Sequence, residues 1–176
     1  LSRVLKAKYE KEKLIYTSNT DELTKCFNRH AYETAIPRLD LHKDWIYISM
    51  DINGLKRVND SLGHAAGDEL ICGAANCMKS CFQNYGNVYR IGGDEFVIIL
   101  KNKTAAETEE IINKVRCEIE FADKQSDITI SVAIGYVWTD TEQKNLEDLM
   151  QHADDEMYKD KKKTKENKSK ENTHSI

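Results

Sequence analysis

The apolar positions along the chain fall into short blocks with distinct periods. Trp45–Met50 (WIYISM) is apolar and rich in aromatic and β-branched residues, which predicts a buried central strand. Asp51 breaks that run. From Asp68 to Phe82, Leu70, Ile71, Ala74, Cys77, Met78 and Cys81 recur at helical spacing. Asn87–Ile91 and Phe96–Leu100 read as two strands of a hairpin whose turn, Gly92-Gly93-Asp94-Glu95, carries two carboxylates. Thr104 and Glu107 form a capping-box pattern that Ile111, Ile112, Val115 and Ile119 continue as a helix. Ile128–Val137 predicts another strand, with Gly135 marking a bulge or a close approach. Leu146, Leu149, Met150, Ala153 and Met157 predict a final amphipathic helix. The order is helix, strand, helix, strand, strand, helix, strand, helix. It predicts an α/β (α+β) sandwich close to the βαββαβ palm, with helices around an antiparallel or mixed central sheet.

Residues 1–17 read as a charged helix with a broken apolar stripe at Leu1, Val4, Leu5, Leu14 and Ile15. Two readings stand open: the end of a coiled-coil connector from an upstream module, or a helix packed on the domain. The first residue is Leu rather than Met, which suggests a piece of a longer protein. The expected division is a connector helix over 1–17, one domain over 18–165, and a disordered lysine-rich tail over 166–176.

Composition narrows the class. The 176 residues suit one domain, and no apolar run is long enough for a membrane span. The net charge of −4 argues against nucleic acid as a bulk partner. Residues 159–171 nevertheless hold seven lysines against three acids, either a solvated tail or a source of phosphate contacts. Five cysteines and no secretory signal predict reduced thiols in the cytoplasm. Cys77 and Cys81 lie one helical turn apart, but no histidine or second pair completes a zinc set, so they read as core. Seven of the eight glycines fall between Gly54 and Gly93, marking a region where backbone must turn or approach something closely.

That region carries the candidate chemistry. In a palm-like sheet the central strand and the hairpin lie side by side, so Asp51, Asp94 and Glu95 can meet at one end of the sheet. An acidic pair on a turn is otherwise a solvated hairpin tip. Carboxylates that close repel unless a cation sits between them, and oxygen ligands favour Mg²⁺ or Mn²⁺. Two such ions are recurring machinery for in-line attack on phosphate. Gly54 and its neighbours can offer N–H groups to phosphate, and Lys56 adds a point charge. Asn59 and Asp68 can read guanine: the carboxylate accepts from N1–H and the 2-amino group, and the amide pairs with O6 or N7. Adenine lacks those donors. His64 reads as a loop histidine rather than a base. No Walker A loop or Gly-x-Gly-x-x-Gly fingerprint is present, and spacing alone argues for no Ser-His-Asp or Cys-His nucleophile set.

Arg90-Ile-Gly-Gly-Asp-Glu-Phe96 resembles the signature of the GGDEF family, the diguanylate cyclases. The resemblance extends to Asp21-Glu-Leu-Thr24 with Asn28-Arg29, to the block Asp51–Asp68, to Ser131–Gly135, and to Ala153-Asp154 with Tyr158 and Lys161. It implies a nucleotidyl-cyclase-like fold. It also implies a metal-dependent cyclase that joins two GTP into cyclic di-GMP, with two metal ions per site and one half-site on each protomer of a homodimer. Carried onto matching positions, Asp51, the Ile52 carbonyl, Asp94 and Glu95 hold metal, and Asp94 or Glu95 helps deprotonate the attacking hydroxyl. Asn59 and Asp68 bind guanine. Lys56, Lys161 and Lys165 contact the β- and γ-phosphates, Gly54 and Leu55 belong to the same substrate turn, and Gly93 lets a nucleotide lie against the hairpin. An upstream sensory module, with membrane attachment of the parent protein left open, goes with this reading.

Departures from the family pattern are also legible. Gln83 and Gly86 stand where many members carry the Arg and Asp of an inhibitory product site, so that site is expected to be absent. Gly54 and Leu55 replace bulky residues, and Lys25 replaces a glycine. Glu156 and Asp160 replace alanines, and Asp160 is expected to weaken GTP binding from beside the phosphate lysines. The alternatives to a cyclase are a degenerate domain that binds GTP or a partner without turnover, and a hybrid cyclase using ATP for one half, which Asp68 disfavours.

Overall fold

A computed structural model describes residues 3–39, 45–138 and 145–173. Its elements are α1 (Arg3–Asn19), α2 (Arg29–Ala35), β1 (Trp45–Ile52), α3 (Leu55–Leu62), α4 (His64–Phe82), β2 (Gly86–Arg90), β3 (Glu95–Lys101), α5 (Ala105–Lys124), β4 (Val132–Trp138) and α6 (Leu146–Thr173). The four strands form one wholly antiparallel sheet in the order β2-β3-β1-β4. This is the palm architecture expected from the apolar pattern.

β1 is the central strand because every one of its eight residues is buried. Its side chains alternate between two layers. Ile46, Ile48, Met50 and Ile52 face a core built with α4 and α5. Trp45 and Tyr47 face a second core that includes Tyr32 of α2 and Leu149 and Ala153 of α6. The sheet is therefore covered on both faces. Burying each large aliphatic side chain contributes about 1.5–3 kcal/mol.

Several boundaries differ from the sequence reading, each for a local reason. Asp51 lies inside β1 rather than after it, opposite Glu95 of β3 and Ala133 of β4. The strand pattern from Ile128 yields a ladder only from Val132. Before that, the Ile128 N–H donates to Ser126 Oγ and the Ile130 N–H to Asp123 Oδ1, so side chains take the place of a partner strand. The block between Asp51 and Asp68 is helical, cut into α3 and α4 by Gly63 at φ +86°. α2 carries its own start signal, since the Asn28 side chain accepts from the Ala31 N–H. The lysine-rich segment expected to be disordered from 166 continues α6 to Thr173. Lys and Glu are good helix formers, and extending an existing helix requires no new nucleation. Residues 174–176 lie outside the described residues.

α1 has no buried residue, and Val4, Leu5, Tyr9, Leu14, Ile15 and Tyr16 are all exposed. α1 meets the domain at its C-terminal end, where the Asn28 side chain donates to the Ser18 carbonyl. Cys77 and Cys81 are buried in the core, as expected. The Thr104–Glu107 capping box is formed in both directions.

Candidate active site

The site gathers at the end of the sheet where β1 meets the β2–β3 hairpin. Glu95 opens β3 directly opposite Asp51, so the two carboxylates project from the same face of neighbouring strands. The Ile52 N–H donates to the Asp94 carbonyl at 2.9 Å. A strand residue presents its N–H and C=O on one side, so the Ile52 carbonyl also turns toward the hairpin. Asp94 is half-buried in the turn, which closes where the N–H groups of Ile91 and Gly92 donate to the Glu95 carbonyl.

Asp51 is the most constrained of these groups. Burial pushes its carboxyl above the ordinary range, and the charge of Asp94 adds to the push. The ammonium of Lys161, 2.6 Å from Asp51 Oδ1, pulls the other way, as does Lys165 from farther off. Lys161 comes from α6, 110 residues away in sequence. It reaches Asp51 because α6 lies directly on β4: a Cβ at Gly135 would fall 2.1 Å from both Ala153 O and Met157 N. Gly135 thus marks a close approach rather than a bulge. Beside it, the Ser49 hydroxyl donates to Asp154 Oδ1 at 2.6 Å.

Lys56, Lys161 and Lys165 line one cavity of about 550 Å³ together with Gly54, Asn53 and Ser131. Three expected phosphate ligands from opposite ends of the chain thus converge. Gly54 enters α3 at φ +80°, a conformation that side-chain-bearing residues rarely adopt. Asn53 donates to Ser131 Oγ, and its buried Oδ1 has no partner. Leu55 does not line the cavity; it packs against the core and so holds the turn. Asn59 and Asp68 also lie outside the cavity lining, at the α3–α4 junction. There the Asn59 carboxamide rests on Gly67, with Oδ1 1.9 Å from where a Cβ would be, beside Asp68. Gly93 is exposed, with open space around it.

As a cation site, the acidic corner offers a limited set of donors. Among the described residues, no three His, Cys, Asp or Glu side chains form a metal-binding group. Asp51, Glu95 and the Ile52 carbonyl are a small oxygen-only set. That suits Mg²⁺ or Mn²⁺, which keep several waters and take further oxygens from substrate phosphates. Lys161 already shows that the Asp51 corner holds a cation.

Sequence reasoning missed the support of the hairpin. Arg90 donates from Nη2 to the Gly93 carbonyl at 2.8 Å and pairs with Asp21 at 3.1 Å. Asp21 also accepts from the N–H and hydroxyl of Thr24. Burial alone would raise the Asp21 carboxyl, but these bonds and Arg90 hold it below its usual range. The separate segment Asp21–Thr24 thus steadies the turn that carries Asp94. Reading its role requires knowing that it meets Arg90, 69 residues away. At the two positions of the inhibitory pattern, Gln83 is exposed, and a Cβ at Gly86 would fall 2.0 Å from the Ile99 carbonyl.

Comparison with known proteins agrees with this geometry. Residues 18–167 match the family model described as diguanylate cyclase, GGDEF domain. A diguanylate cyclase of Vibrio cholerae is 29% identical over 160 residues, covering 86% of this chain and 49% of that protein. The cyclic di-GMP phosphodiesterase PdeB of Shewanella oneidensis is 27% identical over 148 residues, 82% of this chain and 17% of that protein. The chain therefore spans less than half the length of either relative. Among solved structures, the coiled coil and GGDEF domain of DgcB from Caulobacter crescentus, in complex with c-di-GMP, superposes with a TM-score of 0.79. That match has 22% identity and covers 90% of this chain and 88% of that one. The match to the family model over most of its length, on a fold that sets the signature hairpin against Asp51, shows that this chain belongs to the GGDEF family of diguanylate cyclase domains.

Proposed function

We propose that the domain is a diguanylate cyclase that condenses two GTP into cyclic di-GMP and releases two pyrophosphates. The observation that carries this reading is the single cavity lined by Lys56, Lys161 and Lys165 and adjoining the Asp51–Glu95 pair. Lysines there hold the β- and γ-phosphates, while Asn59 and Asp68 bind guanine. Asp51, Asp94, Glu95 and the Ile52 carbonyl would hold Mg²⁺ or Mn²⁺, two per site, whose charge when bound offsets that developing on the phosphate. Asp94 or Glu95 accepts the proton of the attacking 3′-hydroxyl. Each hydroxyl forms a bond to the α-phosphorus of the GTP on the partner protomer, and the bond from that phosphorus to the β-bridging oxygen breaks.

Turnover on this reading needs a homodimer, and the exposed α1 supplies a means of pairing protomers below an upstream sensory module. No helix among the described residues is long and apolar enough to cross a membrane. A cytoplasmic place for this domain follows from its GTP substrate and unpaired cysteines.

The test is incubation of the protein at high concentration with Mg²⁺ and GTP, then with GTP plus ATP, and identification of the products by mass spectrometry. Cyclic di-GMP from both mixtures is expected. GTP binding without any dinucleotide would leave a degenerate binding domain, and a mixed dinucleotide would refute the guanine role of Asp68.

A further inference from the structure

Asp160 was expected to set its charge against the phosphate lysines. The structure turns it the other way. Its Oδ1 pairs with Arg116 Nη2 at 3.1 Å, and its Oδ2 accepts the Ile134 N–H at 2.9 Å. Ile134 belongs to β4, the edge strand of the sheet, so this bond satisfies a donor with no partner strand on that side. Arg116 belongs to α5, which packs on the opposite face of the sheet from α6. The Arg116–Asp160 pair therefore reaches around the open edge and ties the two helical layers together.

The place of this tie along α6 gives it a consequence for the site. The N-terminal part of α6 is held by Leu149 and Ala153, both buried, and by the Ser49–Asp154 bond. From Tyr158 to Glu166 no residue is buried. Over that stretch Asp160 makes two bonds to the rest of the domain, and Lys161 pairs with Asp51. A Lys161 that turns to a triphosphate gives up its hold on Asp51, while the two bonds of Asp160 stay in place and still fix the segment.

We propose that Asp160, braced by Arg116, is a positioning residue that holds Lys161 and Lys165 in register with the phosphate cavity. This rests on the reading of that cavity as the triphosphate site. Side chains fixed before binding lose less freedom when they engage a ligand, so the tie contributes to affinity without touching the nucleotide.

The experiment compares wild type, Asp160→Ala, Asp160→Asn and Arg116→Gln. Each is titrated with a non-hydrolysable GTP analogue in Mg²⁺ and, separately, with guanosine, which has no phosphates; thermal melting is followed in parallel. Asp160→Ala should weaken the analogue about tenfold, the loss of roughly one well-formed hydrogen bond, and leave guanosine unchanged. Asp160→Asn keeps an acceptor for the Ile134 N–H and should recover part of the loss. Arg116→Gln should fall between. Equal weakening of guanosine and analogue, or an unchanged analogue affinity in folded Asp160→Ala, would overturn the positioning role alone. Wild type that binds guanosine but gains nothing from the triphosphate would overturn the cavity assignment, and the positioning role with it.

Discussion

Gly135→Ala isolates the contact on which the whole site is built. The added Cβ would stand 2.1 Å from Ala153 O and Met157 N and 2.8 Å from Met157 Cα, all backbone atoms. No rotamer change can relieve a clash with backbone. To go from 2.1 Å to the 3.4 Å of ordinary contact, α6 must retreat from β4 by about 1.3 Å. That retreat loosens Leu149 and Ala153, both 0% exposed. It also draws the Lys161 ammonium out of hydrogen-bond reach of Asp51, now 2.6 Å away. Overpacking of this kind costs about 2–3 kcal/mol. For a domain of this size that lowers the melting temperature by about 5–10 °C. Calorimetry reads the stability, and titration with a GTP analogue reads the site. Gly93→Ala serves as the control for stability alone, because its Cβ would meet no protein atom within 4 Å. If Gly135→Ala melted within about 1 °C of wild type and bound the analogue equally well, α6 would not rest on Gly135 as described.

Other substitutions separate stability from binding. Gly67→Ala places a Cβ 1.9 Å from Asn59 Oδ1, the end of a movable side chain, and it also improves helix propensity by up to about 1 kcal/mol. It should melt no lower than wild type yet bind guanosine more weakly, measured by titration. Asp51→Asn should raise the melting temperature at neutral pH in the presence of EDTA while abolishing turnover. Burial lifts the folded carboxyl above its ordinary 3.8, so ionised Asp51 opposes folding once the pH rises through that interval. Glu107 behaves in the opposite sense. The Thr104 N–H, then Lys103 and the Thr104 hydroxyl, hold its carboxyl down to about 2, so its stabilisation is complete above 4.5 and lost as the pH falls toward 2. Glu107→Gln should flatten the melting curve in that window. Cyclic di-GMP should not inhibit through Gln83 and Gly86, and Gly86→Asp should unfold β2 rather than create the site, since its Cβ meets the Ile99 carbonyl at 2.0 Å. Tight product binding lost on substitution at Gln83 would refute this.

Much of this arrangement was legible because local and global preferences agree. The β1 run, the α5 capping box and the apolar face of α6 each encode an element in neighbouring residues. What stayed hidden depends on distance. The α3–α4 break rests on a single backbone conformation at Gly63. The run at Ile128–Ile130 looks like strand yet bonds to Ser126 and Asp123. The partners of Arg90 and Asp160 lie 69 and 44 residues away, and no spacing rule predicts them. Asp160 shows the consequence most plainly: near the lysines in sequence, its carboxylate is committed to Arg116 and the Ile134 N–H.

The register between β1 and α6 explains why the site forms at this end of the sheet. Tyr47, Ser49 and Asp51 project from one face of β1, and along them the partner changes from apolar to hydrogen-bonding to charged. Tyr47 lies in the core that includes Leu149, Ser49 donates to Asp154, and Asp51 accepts from Lys161. The direction of donation reverses between the last two pairs. Sliding α6 by one turn would therefore break both bonds at once and bring the acids of one element toward those of the other. Gly135 sets the depth of the helix and these two pairs set its position along the strand. Together they deliver Lys161 and Lys165 to the cavity beside Asp51.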